Sequence, residues 1–282
     1  MAMVINTNVA SLNSQRMLDR TNMSLTTSME RLSSGLRVNS AKDDAAGLAI
    51  ADRMTSQIRG MTVAQRNAND GISMAQTAES AMGSITETLQ RMRDLGVQAA
   101  NRGAVSDSDR QKLQTEFKQL GDEINRIIEN TEFNGKKILN GSLVGAIFQV
   151  GAGTSTNNQI SITVSDLQGV SGISAVAGGG VSIGSAATSD GVLSAINTID
   201  TAISKIDDFR ATLGAVQNRF TTTIGNLQSS IENQSAARSR ILDADFAVET
   251  SNLSRSQILQ QAGTAMLAQA NQSTQSVLSL LR

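Results

Sequence analysis

Eleven positions, Ile196, Ile199, Ile203, Ile206, Arg210, Leu213, Gln217, Phe220, Ile224, Leu227 and Ile231, follow one another at unbroken 3-4 spacing, and only Arg210 and Gln217 are not apolar. An a/d seam kept up for this long is the pattern of one long helix packed against others. At 1.5 Å per residue the helix runs for roughly 50 Å. Nothing in the chain interrupts it. The 282 residues contain no proline, where usage of about 5% would supply roughly 14. An interior proline costs a helix about 3 kcal/mol, so its absence suits long unbroken helices.

Two further runs repeat the pattern. Ala75, Ala78, Met82, Ile85, Leu89, Met92 and Gly96 form one, and Leu113, Phe117, Leu120, Ile124 and Ile127 a shorter one. Ser106 and Asp107 precede the shorter run with residue types that cap a helix N-terminus. Asn101 and Gly103 mark a turn between the two. The ends carry narrower stripes: Leu18, Asn22, Leu25, Met29, Leu32 and Leu36 at the start, and Leu259, Gly263, Met266, Ala270, Ser273, Val277 and Leu280 at the finish. Diluted by small and polar residues, neither stripe supports a lone helix. The expectation is that they pair with each other or with other chains. Met82, Met92 and Met266 all sit on seams and read as core filler.

The middle differs. No Lys or Arg lies between Lys137 and Lys205, and 11 of the 23 glycines fall between Gly141 and Gly191. Ala146–Val150 and Gln159–Val164 are β-rich runs separated by GAGTSTNN, a hairpin signal. The Gly/Ser/Ala run from Val164 to Asp190 is compatible with a loop, a third short strand or partial disorder. The fold class expected is mainly α: an elongated helical bundle or coiled coil with a small β-hairpin insertion.

Composition removes much chemistry. There is no Cys, so no disulfide or thiolate, and no His, so no imidazole base or zinc ligand. Asp43 and Asp44, and likewise Asp243 and Asp245, are paired carboxylates without a catalytic partner and read as solvated helix-end charges. Gly135-Lys136-Lys137 lacks the upstream glycine and the following Ser/Thr of a phosphate loop and reads as a turn before a strand. The six aromatics are all Phe and net charge is −1, which gives no platform for nucleic acid and no general attraction to anionic membrane. No apolar run reaches the roughly 18 residues of a membrane span. The N-terminal MAMVINTNVASLNSQRMLDR lacks the apolar core of a cleaved signal. The protein is thus expected to be cytosolic, or to leave by a route that reads no such signal. No enzyme activity and no cofactor are expected.

Longer strings carry a resemblance. ERLSSGLRVNSAKDDAAGLAIADRM (30–54), RNANDGISMAQTAESAM (66–82), LQRMRDLGVQAANR (89–102), EFNGKKILNG (132–141), LGAVQNRF (213–220), ARSRILDADFAVETSNLSRSQILQQAGTAMLAQANQ (237–272) and VLSLLR (277–282) resemble bacterial flagellin in the family's order. The resemblance covers roughly residues 1–165 and 190–282. It implies a structural subunit that polymerises into the extracellular flagellar filament used for swimming, exported unfolded by the flagellar type III route and assembled at the tip. It also implies a short form without the family's outermost domains. Residues 1–44 and 236–282 become the two parts of the inner coiled coil. Residues 45–140 and 191–235 form the rod, and 141–190 the hairpin and variable insertion.

The same resemblance implies sites. Gln90, Arg91, Asp94, Leu95, Glu116 and Arg219 match a rod face that joins subunits and is read by the host's Toll-like flagellin receptor. Arg91 and Leu95 read on spacing alone as an i, i+4 pair on a solvated helix face or at a subunit contact. Leu18, Leu25, Met29, Leu32, Leu259, Met266, Val277 and Leu280 become the filament-core seam. Leu278, Leu280, Leu281 and Arg282 match the tail read by cytosolic sensors and wrapped by the export chaperone. Implied partners are further copies of the chain, that chaperone, the filament cap, the hook-junction proteins and the host sensors. A hook–filament junction protein shares the terminal helices, and a chemoreceptor-like hairpin shares the heptads. The collinear match through both rod segments argues against the first, and the lack of a membrane span or sensor domain against the second. The protease that some flagellins carry needs an HExxH zinc site, which a chain without His cannot build.

Overall fold

The computed structural model describes residues 7–143, 145–164 and 166–280, the last eight of them by backbone alone. The elements in order are α1 (Val9–Ser34), α2 (Ala45–Ala100), α3 (Asp107–Asn130), β1 (Glu132–Phe133), β2 (Lys136–Lys137), β3 (Ala146–Gln149), β4 (Gln159–Ile162), α4 (Ser171–Ala177), α5 (Ser189–Leu242) and α6 (Phe246–Leu280). The strands form two separate antiparallel pairs, β1–β2 and β3–β4. The expected mainly helical class with a small hairpin is what the chain adopts.

The chain divides into two compact units. One holds residues 1–57 and 232–282, the other residues 58–231.

The 58–231 unit has one large apolar core and a smaller cluster of Met61, Ala64 and Leu227. Its α2 stripe, Ala75, Ala78, Met82, Ile85, Leu89 and Met92, is buried throughout. On α5 the buried line runs through Ile199, Ile206, Leu213, Phe220 and Leu227, joined by Ala195, Ala202 and Val216. Ile196, Ile203, Arg210, Gln217 and Ile224, which the heptad reading placed on the seam, flank that line and are half-buried. This accounts for the two polar interruptions. Gln217 on the rim donates from Nε2 to Glu79 Oε2 at 2.8 Å.

Glycine permits the closest approach in this core. A Cβ at Gly71 would lie 2.6 Å from the Phe220 ring. Phe220 also meets Phe148 of β3 edge-on, with ring centroids 5.8 Å apart, which seats the β3–β4 pair on the helices. Ser106 caps α3, its side chain accepting from the Asp109 N–H. The turn between β1 and β2 places Asn134 and Gly135 at φ 51° and 73°. Asn and Gly are the residues that tolerate that region.

The run after Val164 is ordered by packing. It holds the short helix α4, whose Ile173 and Val176 are buried, and Ile183 beyond it is buried as well. Arg110 of α3, itself buried, donates from Nη2 to the carbonyls of Gly184 at 2.6 Å and Ala187 at 2.9 Å. Gln114 Oε1 accepts the Ile183 N–H at 2.6 Å. None of the three sequence-based options for this run included a helix. Leu167, Val170, Ile173 and Val176 recur every three positions, but Gly169, Gly172 and Gly178–Gly180 dilute that short helical signal, and α4 has no side-chain cap.

Candidate assembly and recognition surfaces

In the unit formed by both ends of the chain, α1 and α6 lie antiparallel. Asn8 Nδ2 donates to the Ala270 carbonyl at 2.9 Å, Ser11 Oγ to Asn271 Oδ1 at 2.9 Å, and Gln260 Nε2 to Asn22 Oδ1 at 2.9 Å. The connecting segments are joined too. The Arg37 N–H donates to the Leu242 carbonyl at 2.6 Å and the Ala244 N–H to the Gly35 carbonyl at 2.9 Å, around a bridge between Leu36 and Asp243. Asp43 Oδ2 folds back onto the Ser40 N–H at 2.9 Å and the Ser40 hydroxyl at 3.0 Å. These bonds hold its carboxyl below the usual range.

Beside the apolar Val38 and Ala51, this unit buries polar residues: Ser11, Ser28, Glu249 and Ser256. Leu18, Leu25 and Leu32 are half-buried, as are Leu253 and Leu267 on α6. Met29, Leu259 and Met266 are exposed. Gly263 and Ala270 of the α6 stripe lie on the line the helix pair uses, together with Leu253 and Leu267, which the stripe does not include. Leu259 and Met266 stand on the adjacent flank, open to the pairing with other chains that the sequence reading holds as its alternative. Met266 is accordingly not core filler in this subunit, whereas Met82 and Met92 are. A groove of about 500 Å³ between α1 and α6 is lined by Met17, Leu18, Leu259, Gly263 and Met266 among others. The side chains of Val277, Leu278 and Leu280, and all of Leu281 and Arg282, lie outside the described residues.

In the 58–231 unit, Arg91 of α2 meets Glu116 of α3. Its Nε and Nη2 both donate to Glu116 Oε1, at 3.0 and 2.7 Å. Gln90 and Asp94 are exposed beside it. Leu95 is not: at 1% exposure it belongs to the core. The i, i+4 spacing of Arg91 and Leu95 thus spans the boundary between surface and interior, and the expected shared solvated face is corrected. Sequence reasoning missed the Arg91–Glu116 pair, which joins two helices. It also missed Arg93, whose Nε reaches Asp200 Oδ1 of α5 at 2.7 Å. That bond and the Asp200 charge raise the Arg93 pKa. Arg219 is exposed but stands apart, because its neighbour Phe220 packs at Gly71, about 30 Å along α2 from Arg91 at 1.5 Å per residue.

Among the described residues no group of three or more Asp and Glu could hold a metal ion. Nor, among the described residues, is any helix long and apolar enough to cross a membrane. The two surfaces offer apolar side chains and exposed ion pairs, the material of protein contacts.

The model of the bacterial flagellin N-terminal helical region matches residues 5–143, and that of the C-terminal helical region matches residues 196–281. The chain belongs to the bacterial flagellin family. Flagellin of Bacillus subtilis is 44% identical to it, covering 99% of this chain and 100% of that one. Flagellin D of Vibrio anguillarum is 40% identical over 377 aligned positions, with both chains covered in full. This family member has 282 residues, so the Vibrio relative carries residues with no counterpart here. A solved chain from Vibrio parahaemolyticus, assigned to the flagellar hook-associated class, matches with a TM-score of 0.59 over 71% of this chain and 100% of that one. At 16% identity it shows the fold alone. Membership makes this chain a structural subunit of the extracellular flagellar filament, built by self-assembly for motility, and not an enzyme.

Proposed function

We propose that the α1–α6 unit is the polymerising element of this filament subunit and that neighbouring copies cover the apolar side chains it leaves outside. One observation carries the reading: among the described residues, 11 of the 15 exposed large apolar side chains lie in this unit, Met29, Leu259 and Met266 among them. Exposed apolar surface gathered in one region marks a contact with a partner. Leu18, Leu25 and Leu32 hold the helix pair together, Met29, Leu259 and Met266 meet a neighbour, and Val277 and Leu280 extend the seam. Contacts of this heterologous kind do not close on themselves and propagate into a helical filament. Residues 1–44 and 236–282 serve as the inner coiled coil, 45–140 and 191–235 as the rod, and 141–190 as the variable insertion.

Export as an unfolded chain through the flagellar type III route, with assembly at the tip under a cap beyond the hook-junction proteins, fits the same reading. A chain without disulfides or proline has no reshuffling or isomerisation to repeat after transit. We assign Leu278, Leu280, Leu281 and Arg282 to the export chaperone and, in a host, to cytosolic sensors. Gln90, Arg91, Asp94 and Glu116 form a contact face first for subunits and second for the Toll-like receptor. Leu95 fixes the helix beneath that face, and Arg219 is a separate contact.

Seeded polymerisation tests the main claim. Full-length subunit added to short filament fragments should elongate them, read by light scattering and negative stain, and Leu259→Asp should not while keeping its helix content. Elongation by the variant at the normal rate would overturn the claim. Receptor reporter signalling left unchanged by Arg91→Ala and Glu116→Ala would remove the second role of the rod face.

A further inference from the structure

Methionine is the one readily oxidised side chain available here, since the chain has 11 Met and no Cys, Trp, Tyr or His. Among the described residues eight methionines fall into two classes, with Met54 half-buried between them. Met82 and Met92 are 1% and 0% exposed, and Met61 and Met74 are buried as well. Met17 and Met266 are 50% and 62% exposed, and Met23 and Met29 are open too. Oxidation of a thioether follows its exposure, so the second class reacts first.

Two of the open methionines converge. Met17 on α1 and Met266 on α6 line the same groove of about 500 Å³, together with Leu18, Leu259 and Gly263. We propose that Met17 and Met266 form a modification site for hydroperoxides that acts on the free subunit and blocks its assembly. The sulfur lone pair attacks the outer peroxide oxygen and the O–O bond breaks. A sulfoxide forms, and the remaining oxygen leaves as water or alcohol with the proton. Sulfur loses the two electrons that the peroxide gains.

The consequence follows from solvation. A sulfoxide is polar and accepts hydrogen bonds, so covering the groove with apolar surface leaves that acceptor unpaired. The covering surface is a second copy of this chain, because the subunit is a self-assembling one. The inference rests on the proposal that the α1–α6 unit polymerises. In an assembled filament the same two sulfurs are shielded, so oxidation marks only the subunits still outside it. Sulfoxide reduction by a methionine sulfoxide reductase restores the thioether and makes the effect reversible.

The test uses the full chain and hydrogen peroxide. Free subunit and preformed filament are treated alike, mapped by peptide mass spectrometry, freed of peroxide and added to seeds. Sulfoxide should collect at Met17 and Met266 before Met82 and Met92 in the free chain, and not in filaments. Treated subunit should lose elongation and regain it after reductase. Measured against its own untreated rate, the near-isosteric Met17→Leu/Met266→Leu variant should lose a smaller fraction of its elongation on treatment than the natural chain does, and Met29→Leu as large a fraction. Treated subunit that elongates normally, a treated double variant that fails like the natural chain, or filaments oxidised at the two positions as fast as free subunit would each overturn the proposal. Untreated subunit that ignores the seeds would overturn the polymerisation reading instead. The oxidation map of the free chain separates that result, because the order of reaction there needs no assembly.

Discussion

The 58–231 unit and the unit made from the two chain ends are both helical, yet they use apolar residues in opposite ways. In the first, Met82, Leu89, Leu95, Ile124 and Phe220 are enclosed, so the core is complete within one copy. In the second, Ser11, Ser28 and Ser256 share the interior with Val38 and Ala51, while Met29, Leu259 and Met266 stay in water. Helix packing alone does not explain that inversion. The proposed docking of this unit on its own copies would account for it: adhesive side chains stay outside, and the helix pair is held by half-buried leucines and by amide bonds such as Asn8 to Ala270. On that proposal the comparison separates residues kept for stability from residues kept for contact.

The largest expected effect tests the finished core. Phe220→Ala should lower unfolding stability by about 3–5 kcal/mol, since both its transfer energy and its cavity are lost. Leu259→Ala in the free subunit should cost about 0.5 kcal/mol or less. Thermal unfolding of the two variants measures the contrast, and equal losses would break it. Gly71→Ala comes next. Alanine favours a helix interior by about 1 kcal/mol, but the new methyl meets the Phe220 ring, and overpacking costs about 1–3 kcal/mol. A net loss of stability is expected, and a gain would show that the ring can move. Ser106→Ala should cost about 1 kcal/mol through loss of the α3 cap, read by denaturant unfolding.

The smallest effects concern exposed charges. A double-mutant cycle on Arg91 and Glu116 should return a coupling of about 0.5 kcal/mol, far below the loss at Phe220. Acid titration gives a direction. Asp109 is held below its usual pKa first by the Ser106 hydroxyl and then by Lys112. Glu123 is held down by Arg126, and Asp43 by Ser40. A carboxylate with a lower pKa when folded adds stability above its unfolded value, near pH 4, and loses it as pH falls through the folded value. The loss therefore belongs below about pH 4. In an NMR titration Ser106→Ala should move the Asp109 midpoint upward, and an unmoved midpoint would show that the cap does not set it.

Reading from sequence succeeded where a long period met a complete core. The α2 stripe from Ala75 to Met92 is buried at every named position, because a helix closed on one side has one face to choose. It was incomplete in two physical situations. On α6 two neighbouring flanks are apolar, one for the α1 partner and one left open, and the stripe through Leu259 and Met266 does not include the inward Leu253 and Leu267. At Arg91, Glu116 and Leu95 the outcome depended on which helix stands beside α2. No spacing within α2 reveals that Glu116 lies across from Arg91 or that Leu95 turns inward.

The sequence by itself determined the helical class, the hairpin between Ala146 and Ile162, the α3 cap at Ser106 and the absence of thiol and imidazole chemistry. Each rests on local periodicity, local turn chemistry or composition, all of which a single strand of text contains. Tertiary structure alone decided that the glycine-rich run after Val164 folds onto α3 under Arg110, that Leu95 is interior, and which methionines meet water. These outcomes depend on surfaces brought together from distant parts of the chain, and burial is a property of such meetings and not of any residue taken alone.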